Sequence, residues 1–222
     1  MEPLRLFPYD PPAPVEPSSE ERIRDAALTS FATQGIAATS LRMIAETAEV
    51  SIGLVQHYFG TKAALRDAVD RYVLRVVGEA LEPTALPRPP ADGLNEMGRR
   101  LTQLISEKPE VMAYLGRALA EGGAFGGVIF DGLVGISAAQ RDQFVQRGMT
   151  RPDLDPDWAA LNPLILRVGA IILRPYIESY LGEEFFSESQ LRRWDAAVTG
   201  LLREGQLNDT GEPVESSGPL SW

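Results

Sequence analysis

Residues 20–66 read EERIRDAALTSFATQGIAATSLRMIAETAEVSIGLVQHYFGTKAALR, and this part of the chain gives the clearest indication of its structure. Apolar residues recur in it at helical spacing, and capping residues and glycines mark where each helix begins and ends. The two short helices in the middle are joined by a tight turn, as in DNA-binding helix-turn-helix proteins, although this spacing also fits a helix pair in an ordinary core. The four predicted helices cover about Ser19–Gln34, Ser40–Ala48, Ile52–Phe59 and Thr61–Leu81.

The rest of the chain also has helical periodicity, without the alternation of a strand. Residues 1–18 hold six prolines and residues 208–222 are rich in Gly, Ser, Pro and acidic residues, so both ends are predicted to be disordered. We predict an all-α fold of about nine helices, with a helix-turn-helix domain at 19–66 and a larger helical domain at 67–207, bridged by helix four (61–81). We further predict a linker at 82–92 and helices at about 93–106, 109–121, 128–148, 157–181 and 187–205.

Composition excludes several kinds of functional site. The chain has no cysteine, which excludes disulfides, thiolate catalysis and cysteine-ligated metals. Its single histidine, His57, excludes multi-histidine metal sites and leaves one position for the commonest general base. No cofactor motif is present, so we expect no cofactor, no metal and no enzymatic activity. With 31 acidic residues, an all-α enzyme that uses carboxylates stays the less favoured alternative.

The net charge of −10 is unevenly distributed along the chain. Residues 19–77 carry seven basic and seven acidic side chains, so this part is neutral and the rest carries the whole charge. A neutral module binds phosphate only through local placement of its donors. No apolar run approaches the roughly 18 residues of a membrane helix, and the N-terminus lacks the pattern of a secretory signal. We therefore expect a cytoplasmic protein without membrane contact.

The stretch at 20–66 closely resembles the DNA-binding domain of the TetR/AcrR family of transcriptional regulators. The shared features are AAL…F…G in helix one, TSLRMIA at the start of helix two, AEVSIG after the turn, and HYFGTKAAL leading into helix four. The resemblance covers a little over a fifth of the chain. It implies a helix-turn-helix that binds double-stranded DNA, a helical body that binds a small-molecule effector, and a homodimer formed through the last two helices.

By this resemblance the second helix of the pair is the recognition helix. Ser51 is predicted to cap it and to direct its N–H groups towards the DNA, and Gly53 lets it approach the groove without a Cβ. Gln56 suits a bidentate contact to adenine, whereas phosphate contacts by His57 and Lys62 fix register without reading sequence. Each of these side chains also fits a solvated helix surface. The predicted DNA-binding residues are Thr39, Ser40, Arg42, Ser51, Ile52, Gly53, Leu54, Gln56, His57, Tyr58 and Lys62.

An aromatic-rich set in the body is predicted to line a pocket for an apolar or aromatic effector, although core packing explains the same residues. Arg167 suits either an anionic effector or an ordinary salt bridge. The glycines around Phe125 interrupt the helical pattern and predict a loop or pocket entrance, and Pro163 and Pro175 should bend or break the long helix. The predicted ligand-binding residues are Met112, Tyr114, Leu115, Phe125, Ile129, Phe130, Trp158 and Arg167.

The predicted helix at 157–181 is apolar on two faces. Leu161 and Ile165 lie on one of them, and Leu164 and Ile171 lie on the other. Because a helix of this kind must be covered on both sides, it is either an interior helix of a monomer or part of an interface between two copies. A twofold dimer would match a palindromic operator.

These features together predict a transcription regulator, and the resemblance implies that it is ligand-responsive, a repressor that its effector releases from DNA. The alternative within the same fold is a constitutive regulator, or a protein-binding adaptor, without a ligand pocket. That alternative requires a body whose interior is packed without a cavity.

Overall fold

The computed structural model describes residues 16–82 and 90–207, and within these ranges the chain forms ten α-helices and no strand. The predicted all-α fold is confirmed. The predicted disordered arm and tail lie outside the described residues, apart from 16–18, as does most of the predicted linker. The helices are α1 (Ser19–Gln34), α2 (Leu41–Thr47), α3 (Ile52–Phe59), α4 (Lys62–Leu81), α5 (Pro90–Glu107), α6 (Pro109–Glu121), α7 (Gly123–Val145), α8 (Pro156–Ile172), α9 (Arg174–Leu181) and α10 (Glu188–Gln206).

Capping side chains determine where the first four helices begin. The Ser18 hydroxyl accepts a hydrogen bond from the Glu21 backbone at 3.2 Å, and the Glu21 carboxylate accepts one from the Ser18 backbone at 2.8 Å, which forms a capping box. Ser40, Ser51 and Thr61 cap α2, α3 and α4, each accepting from the N–H three residues later. The bounds predicted for the first and third helices are therefore confirmed.

Helix α7 corrects the prediction of a loop around Phe125. The helix begins at Gly123 and continues through the glycines that follow Phe125. Gly122, with a φ of 71°, makes the turn from α6 into α7. A Cβ on Gly126 would lie 2.6 Å from the carbonyl oxygen of Ala118 on α6. This glycine therefore permits a close crossing of two helices.

The predicted long helix at 157–181 is two helices, which raises the number from about nine to ten among the described residues. Helices α8 and α9 meet at Leu173 with a bend of 71°, and a proline is the second residue of α9. Pro163, by contrast, lies inside α8 without breaking it. Because proline has no N–H, the helix leaves the carbonyl of Ala159 free, and the Gln206 side chain of α10 donates to that carbonyl at 3.2 Å.

One apolar core joins the N-terminal helices to the body. Helix α4 contributes to this core at four-residue intervals through Leu65, Val69, Val73 and Val77, so it connects both parts along its length. Helix α5 begins at Pro90, inside the predicted linker. Helix α7 is long and apolar enough to cross a membrane by length and composition, which is weak evidence because a core helix of a soluble protein passes the same test.

Candidate nucleic-acid interface and internal cavity

Helix α3 presents most of its surface to solvent. Val55 is its only buried residue, and it anchors the helix to the core. Ile52 is 43% exposed, and Gly53 and Gln56 are also exposed, whereas Leu54 is half-buried. The Ser51 hydroxyl accepts from the Leu54 N–H at 3.1 Å, leaving the other N–H groups of the first turn directed outwards. The arrangement offers a short, open helix end of the kind that enters a groove.

The turn between α2 and α3 holds these two helices close together. Glu49 has a φ of 56° and is the only non-glycine residue with positive φ in the described part of the chain. The Val50 N–H donates to the Ala45 carbonyl at 3.0 Å and closes the turn. Ala45 and Ala48 are both buried, and their small side chains let the helices approach. The predicted helix, tight turn and helix are therefore all present.

The side chains predicted to contact phosphate lie at the end of α3 and the start of α4. His57 and Tyr58 are exposed, and their rings meet edge to face with centroids 5.5 Å apart. Lys62 lies in the first turn of α4, and its ammonium donates to the carbonyl of Ala37, between α1 and α2, at 3.4 Å. An ammonium group has three donors, so this contact fixes the position of the charge without exhausting its capacity.

Thr39 corrects one predicted DNA contact. Its side chain is 2% exposed, and its hydroxyl donates to the carbonyl of Gly35 at 2.8 Å, with Ser30 O a further 3.3 Å contact. The residue therefore closes the end of α1 and has no free group for DNA. Ser40 caps α2, and Arg42 is exposed and paired with a glutamate of its own helix.

The body contains a partly enclosed cavity of about 70 Å³. A second cavity of about 80 Å³ lies beside it, and Val77, Leu115, Leu133 and Ile136 line both. The lining of the first cavity is almost entirely aliphatic and comes from helices α4 to α8. Its residues are Val77, Leu81, Met97, Leu101, Leu104, Met112, Leu115, Leu133, Ile136, Ser137, Gln140, Pro163, Leu164, Arg167, Val168 and Ile171.

The structure brings only some of the predicted ligand-binding residues together. Met112, Leu115 and Arg167 line the first cavity, and Ile129 lines the second. Tyr114 and Phe125 instead pack against each other as tilted rings with centroids 5.8 Å apart, and neither lines these cavities. The prediction is wrong for Phe130 and Trp158 as liners within one chain, because they lie on the surface with exposures of 43% and 54%.

Sequence reasoning missed the lining residues on α4 and α5, and on α7 it named Phe125, Ile129 and Phe130, whereas Leu133, Ile136, Ser137 and Gln140 line the first cavity. Met97, Leu101 and Leu104 share one face of α5, and Ser137 and Gln140 are polar residues on α7 directed towards the interior. The one-sided apolar pattern of α5 is present in the sequence, but the same pattern describes a fully packed helix. Only the three-dimensional arrangement distinguishes residues that line a cavity from residues that pack against a neighbouring helix.

Helix α6 contacts both the cavity and the N-terminal helices. The Tyr114 hydroxyl donates to Asp70 on α4 at 2.5 Å, and Arg66 lies 3.6 Å from the same carboxylate. The Arg117 guanidinium donates to the carbonyls of Ala32 and Thr33, at 3.1 and 3.2 Å, in the last turn of α1. A cation suits the negative end of a helix dipole. A shift of α6 would therefore change its hydrogen bonds to both α1 and α4.

Burial raises the pKa of the Asp70 carboxyl above its ordinary value of 3.8, and the hydrogen bond from Tyr114 and the charge of Arg66 oppose part of that rise. Burial, followed by the hydrogen bond to Asp70, also raises the pKa of the Tyr114 hydroxyl well above its usual range. The phenol is therefore the donor of the pair.

The raised pKa of Asp70 predicts a pH dependence of stability. The folded state holds the proton more tightly than the unfolded chain, so the contribution of Asp70 to the free energy of unfolding falls as the pH rises from the unfolded pKa through the folded one. Relative to Asp70→Asn, the wild type should lose stability across this interval. Urea unfolding at closely spaced pH values measures the difference.

Tyr114→Phe is the matched variant for this experiment, because it removes the hydrogen bond that lowers the pKa of Asp70. It should steepen the loss of stability with pH. Parallel curves for the wild type and Asp70→Asn would show that the carboxyl does not titrate differently in the folded state.

No group of three or more metal-ligating side chains is brought together in the part of the chain that the structure describes.

Residues 23–69 match the family described as "Bacterial regulatory proteins, tetR family". The chain is 31% identical over 139 residues to the HTH-type transcriptional regulatory protein RaaS of Mycobacterium tuberculosis, which covers 63% of each protein. It therefore spans less than two thirds of the length of that relative.

Many solved structures are similar in fold, among them the two that follow. The ketosteroid transcriptional regulator of Mycobacterium tuberculosis matches with a TM-score of 0.66 at 18% identity, over 86% of this chain and 96% of that one. The repressor of the multidrug efflux pump of Stenotrophomonas maltophilia, SmeT, matches with a TM-score of 0.64 at 19% identity, over 92% and 98%. At these identities the likeness shows the fold alone. All three proteins are named as regulators and none as an enzyme.

Proposed function

Since the chain belongs to the TetR family of bacterial regulatory proteins, we propose that it is a one-component, ligand-responsive repressor. It binds double-stranded DNA as a homodimer and leaves a palindromic operator when a small apolar or aromatic effector enters its body. The observation that carries the proposal is the exposed helix α3, which packs on the core through buried Val55 and half-buried Phe59 and presents a glycine at its first turn.

The DNA contacts follow from what α3 and its neighbours expose. Gly53 has no heavy atom within 4 Å of an added Cβ except the Ser51 hydroxyl at 3.9 Å, so the helix surface there is free for a close approach. Gln56 is positioned to read a base edge, and His57, Tyr58 and Lys62 surround the end of the helix as phosphate ligands. Local placement of these groups compensates for the overall negative charge.

A second copy of the chain explains the apolar surface of the last three helices. Ile165 on α8 and Leu201 on α10 are 52% and 62% exposed, and Leu173, Tyr176 and Tyr180 are exposed at and beyond the α8–α9 bend. A soluble monomer rarely leaves large apolar side chains grouped in this way. An isologous dimer across α8 and α10 would cover them and would present two α3 helices to half-sites about 34–36 Å apart.

The sensing part of the proposal rests on the cavity and on the contacts of α6. A body packed without a cavity would favour a constitutive regulator, whereas the described body holds two adjacent apolar cavities. Met112 and Leu115 line the first cavity from α6, and Tyr114 and Arg117 of the same helix bond to α4 and α1. A ligand that displaces α6 would thus change the separation of the two α3 helices, and it releases DNA only if it prefers that state.

Binding of fluorescently labelled DNA tests the proposal directly. The purified protein is titrated against the DNA upstream of its own gene and against a scrambled duplex, at two salt concentrations. We expect preferential binding to the first duplex, weakening steeply with salt because phosphate contacts release counterions. Equally feeble binding to duplexes drawn from a genome-wide selection of fragments would contradict the proposal.

Lys62→Ala should weaken binding about tenfold across sequences and reduce the salt dependence by the equivalent of one phosphate contact. The reason is that Lys62 is held beside the end of α3 by the Ala37 carbonyl. Lys108, the only other lysine in the chain, lies at the start of α6 and provides the matched control, Lys108→Ala. Equal losses of DNA affinity in both variants would show that Lys62 makes no specific contact in the interface.

A further inference from the structure

We infer that the cavity takes an uncharged, mainly apolar ligand, and that Asp195 sets this preference by neutralising Arg167 from outside the cavity. The inference rests on the proposed function, because it concerns the ligand that the body senses. It goes further by naming the chemical class of that ligand and the residue that decides it.

The lining of the cavity contains one charged side chain. Among the described residues that line it, thirteen are apolar, and the remaining three are Ser137, Gln140 and Arg167. The Arg167 side chain is 10% exposed, so its charge is largely removed from water. A buried guanidinium without a counter-charge would strongly attract an anionic ligand.

That counter-charge is already provided by the protein. Arg167 Nη1 donates to Asp195 Oδ1 at 3.0 Å, and the Asp195 side chain is itself 20% exposed. The Thr199 hydroxyl lies 3.4 Å from the same oxygen. On α5, Gly98 faces this carboxylate so closely that any Cβ would overlap it. Asp195 is thus held in place by α5, α8 and α10.

An anionic ligand would therefore meet a neutral ion pair. To reach Arg167 it would have to separate the pair and leave the Asp195 carboxylate partly buried without a partner, or place a second negative charge beside it. An uncharged ligand leaves the pair intact and gains from burial of its apolar surface. The balance favours the uncharged ligand.

The two remaining polar residues indicate where a hydroxyl group of such a ligand would bind. The Ser137 hydroxyl donates to the Ala160 carbonyl at 2.6 Å, and the Gln140 amide donates to the Gly93 carbonyl at 3.3 Å. Hydroxyl and amide oxygens also accept hydrogen bonds, so both residues offer an acceptor to a ligand donor. A primary alcohol on an alkyl chain has the required character, and displacement of the shared wall at Leu115 or Leu133 would give the chain access to the second cavity.

The test compares decan-1-ol with decanoate, which share a chain length and differ in charge. Calorimetric titration of the full-length protein at neutral pH should give at least about tenfold tighter binding of the alcohol. Asp195→Asn leaves Arg167 without a counter-charge while retaining an oxygen that accepts from it, so this variant should bind decanoate more tightly than decan-1-ol. Asp157→Asn, at an exposed position in the first turn of α8, is the matched control and should keep the preference of the wild type.

A double variant keeps the test decisive if Asp195→Asn folds poorly. Arg167→Met combined with Asp195→Asn removes both charges, and it should retain the preference for the alcohol. Wild-type protein that binds decanoate as tightly as decan-1-ol would overturn the inference, and so would binding of neither probe. The operator-binding experiment contains no ligand, so failure of the inference is distinguishable from failure of the proposed DNA-binding function.

Discussion

Gly53→Trp is expected to reduce operator affinity about 100-fold, because specific binding exceeds non-specific binding by about 4–10 kcal/mol and a bulky side chain at the centre of the interface removes a large part of that difference. Gly53 lies in the first turn of α3, exposed, with space for a side chain on its outer surface. The indole would occupy the space that the DNA bases fill when α3 lies in the groove. Fluorescence anisotropy with the operator duplex measures the loss.

Stability should barely change in this variant. Substitutions on an exposed helix surface usually alter the free energy of unfolding by less than about 0.5 kcal/mol, and replacing a helical glycine is mildly favourable. Gly127→Trp is the matched control, since Gly127 is exposed on α7 with no atom within 4 Å of an added Cβ. Wild-type operator affinity in folded Gly53→Trp protein would mean that α3 is not the recognition helix.

Ile165→Glu should convert the proposed dimer into a monomer at micromolar concentration and lower operator affinity about 100-fold or more, because the second half-site is then no longer bound intramolecularly. Ile165 is 52% exposed on α8, and a second copy would bury it. A carboxylate buried there without a partner opposes association. Sedimentation velocity reports the oligomeric state, and anisotropy reports the binding.

Val128→Glu provides the comparison for the dimer experiment. Val128 is 54% exposed, nearly the same as Ile165, but lies on α7 outside the proposed interface. The same charge at this position should leave the dimer and its operator affinity unchanged. A dimer that survives Ile165→Glu and dissociates in Val128→Glu would move the interface from α8 and α10 to α7.

Local signals in the sequence were sufficient for the N-terminal helices. Ser51, Thr61 and Gly60 act on the residues beside them, so the start and end of α3 and the start of α4 are readable without knowledge of the fold. The recognition-helix residues were proposed from the family resemblance, because the shared motif spans this one short helix. Thr39 is the exception among the predicted DNA contacts, since the fold buries it and its hydroxyl donates to the carbonyl of Gly35 at 2.8 Å, with the carbonyl of Ser30, nine residues away, at 3.3 Å.

The wrong predictions in the body concern residues whose conformation depends on packing or hydrogen bonding with a residue far away along the chain. Gly126 resembles a helix breaker in sequence, but it makes room for Ala118 on a neighbouring helix. Pro163 is tolerated inside α8 because the Gln206 side chain donates a hydrogen bond to the Ala159 carbonyl, which has no N–H partner within the helix. The lining of the cavity comes from five helices, and no pattern within one helix distinguishes a residue that faces a cavity from one that faces a packed neighbour.

The contact between Gly98 and Asp195 has an evolutionary consequence. A glycine inside a helix costs about 0.5–1 kcal/mol relative to alanine, and at this position it gives the Asp195 carboxylate room against α5. A single substitution to alanine would force the carboxylate to move away from Arg167, and the cavity would acquire a positive charge although no lining residue had changed. Descendants of one ancestral sensor could in this way diverge between neutral and anionic signals, with the heritable difference at a residue that no ligand touches.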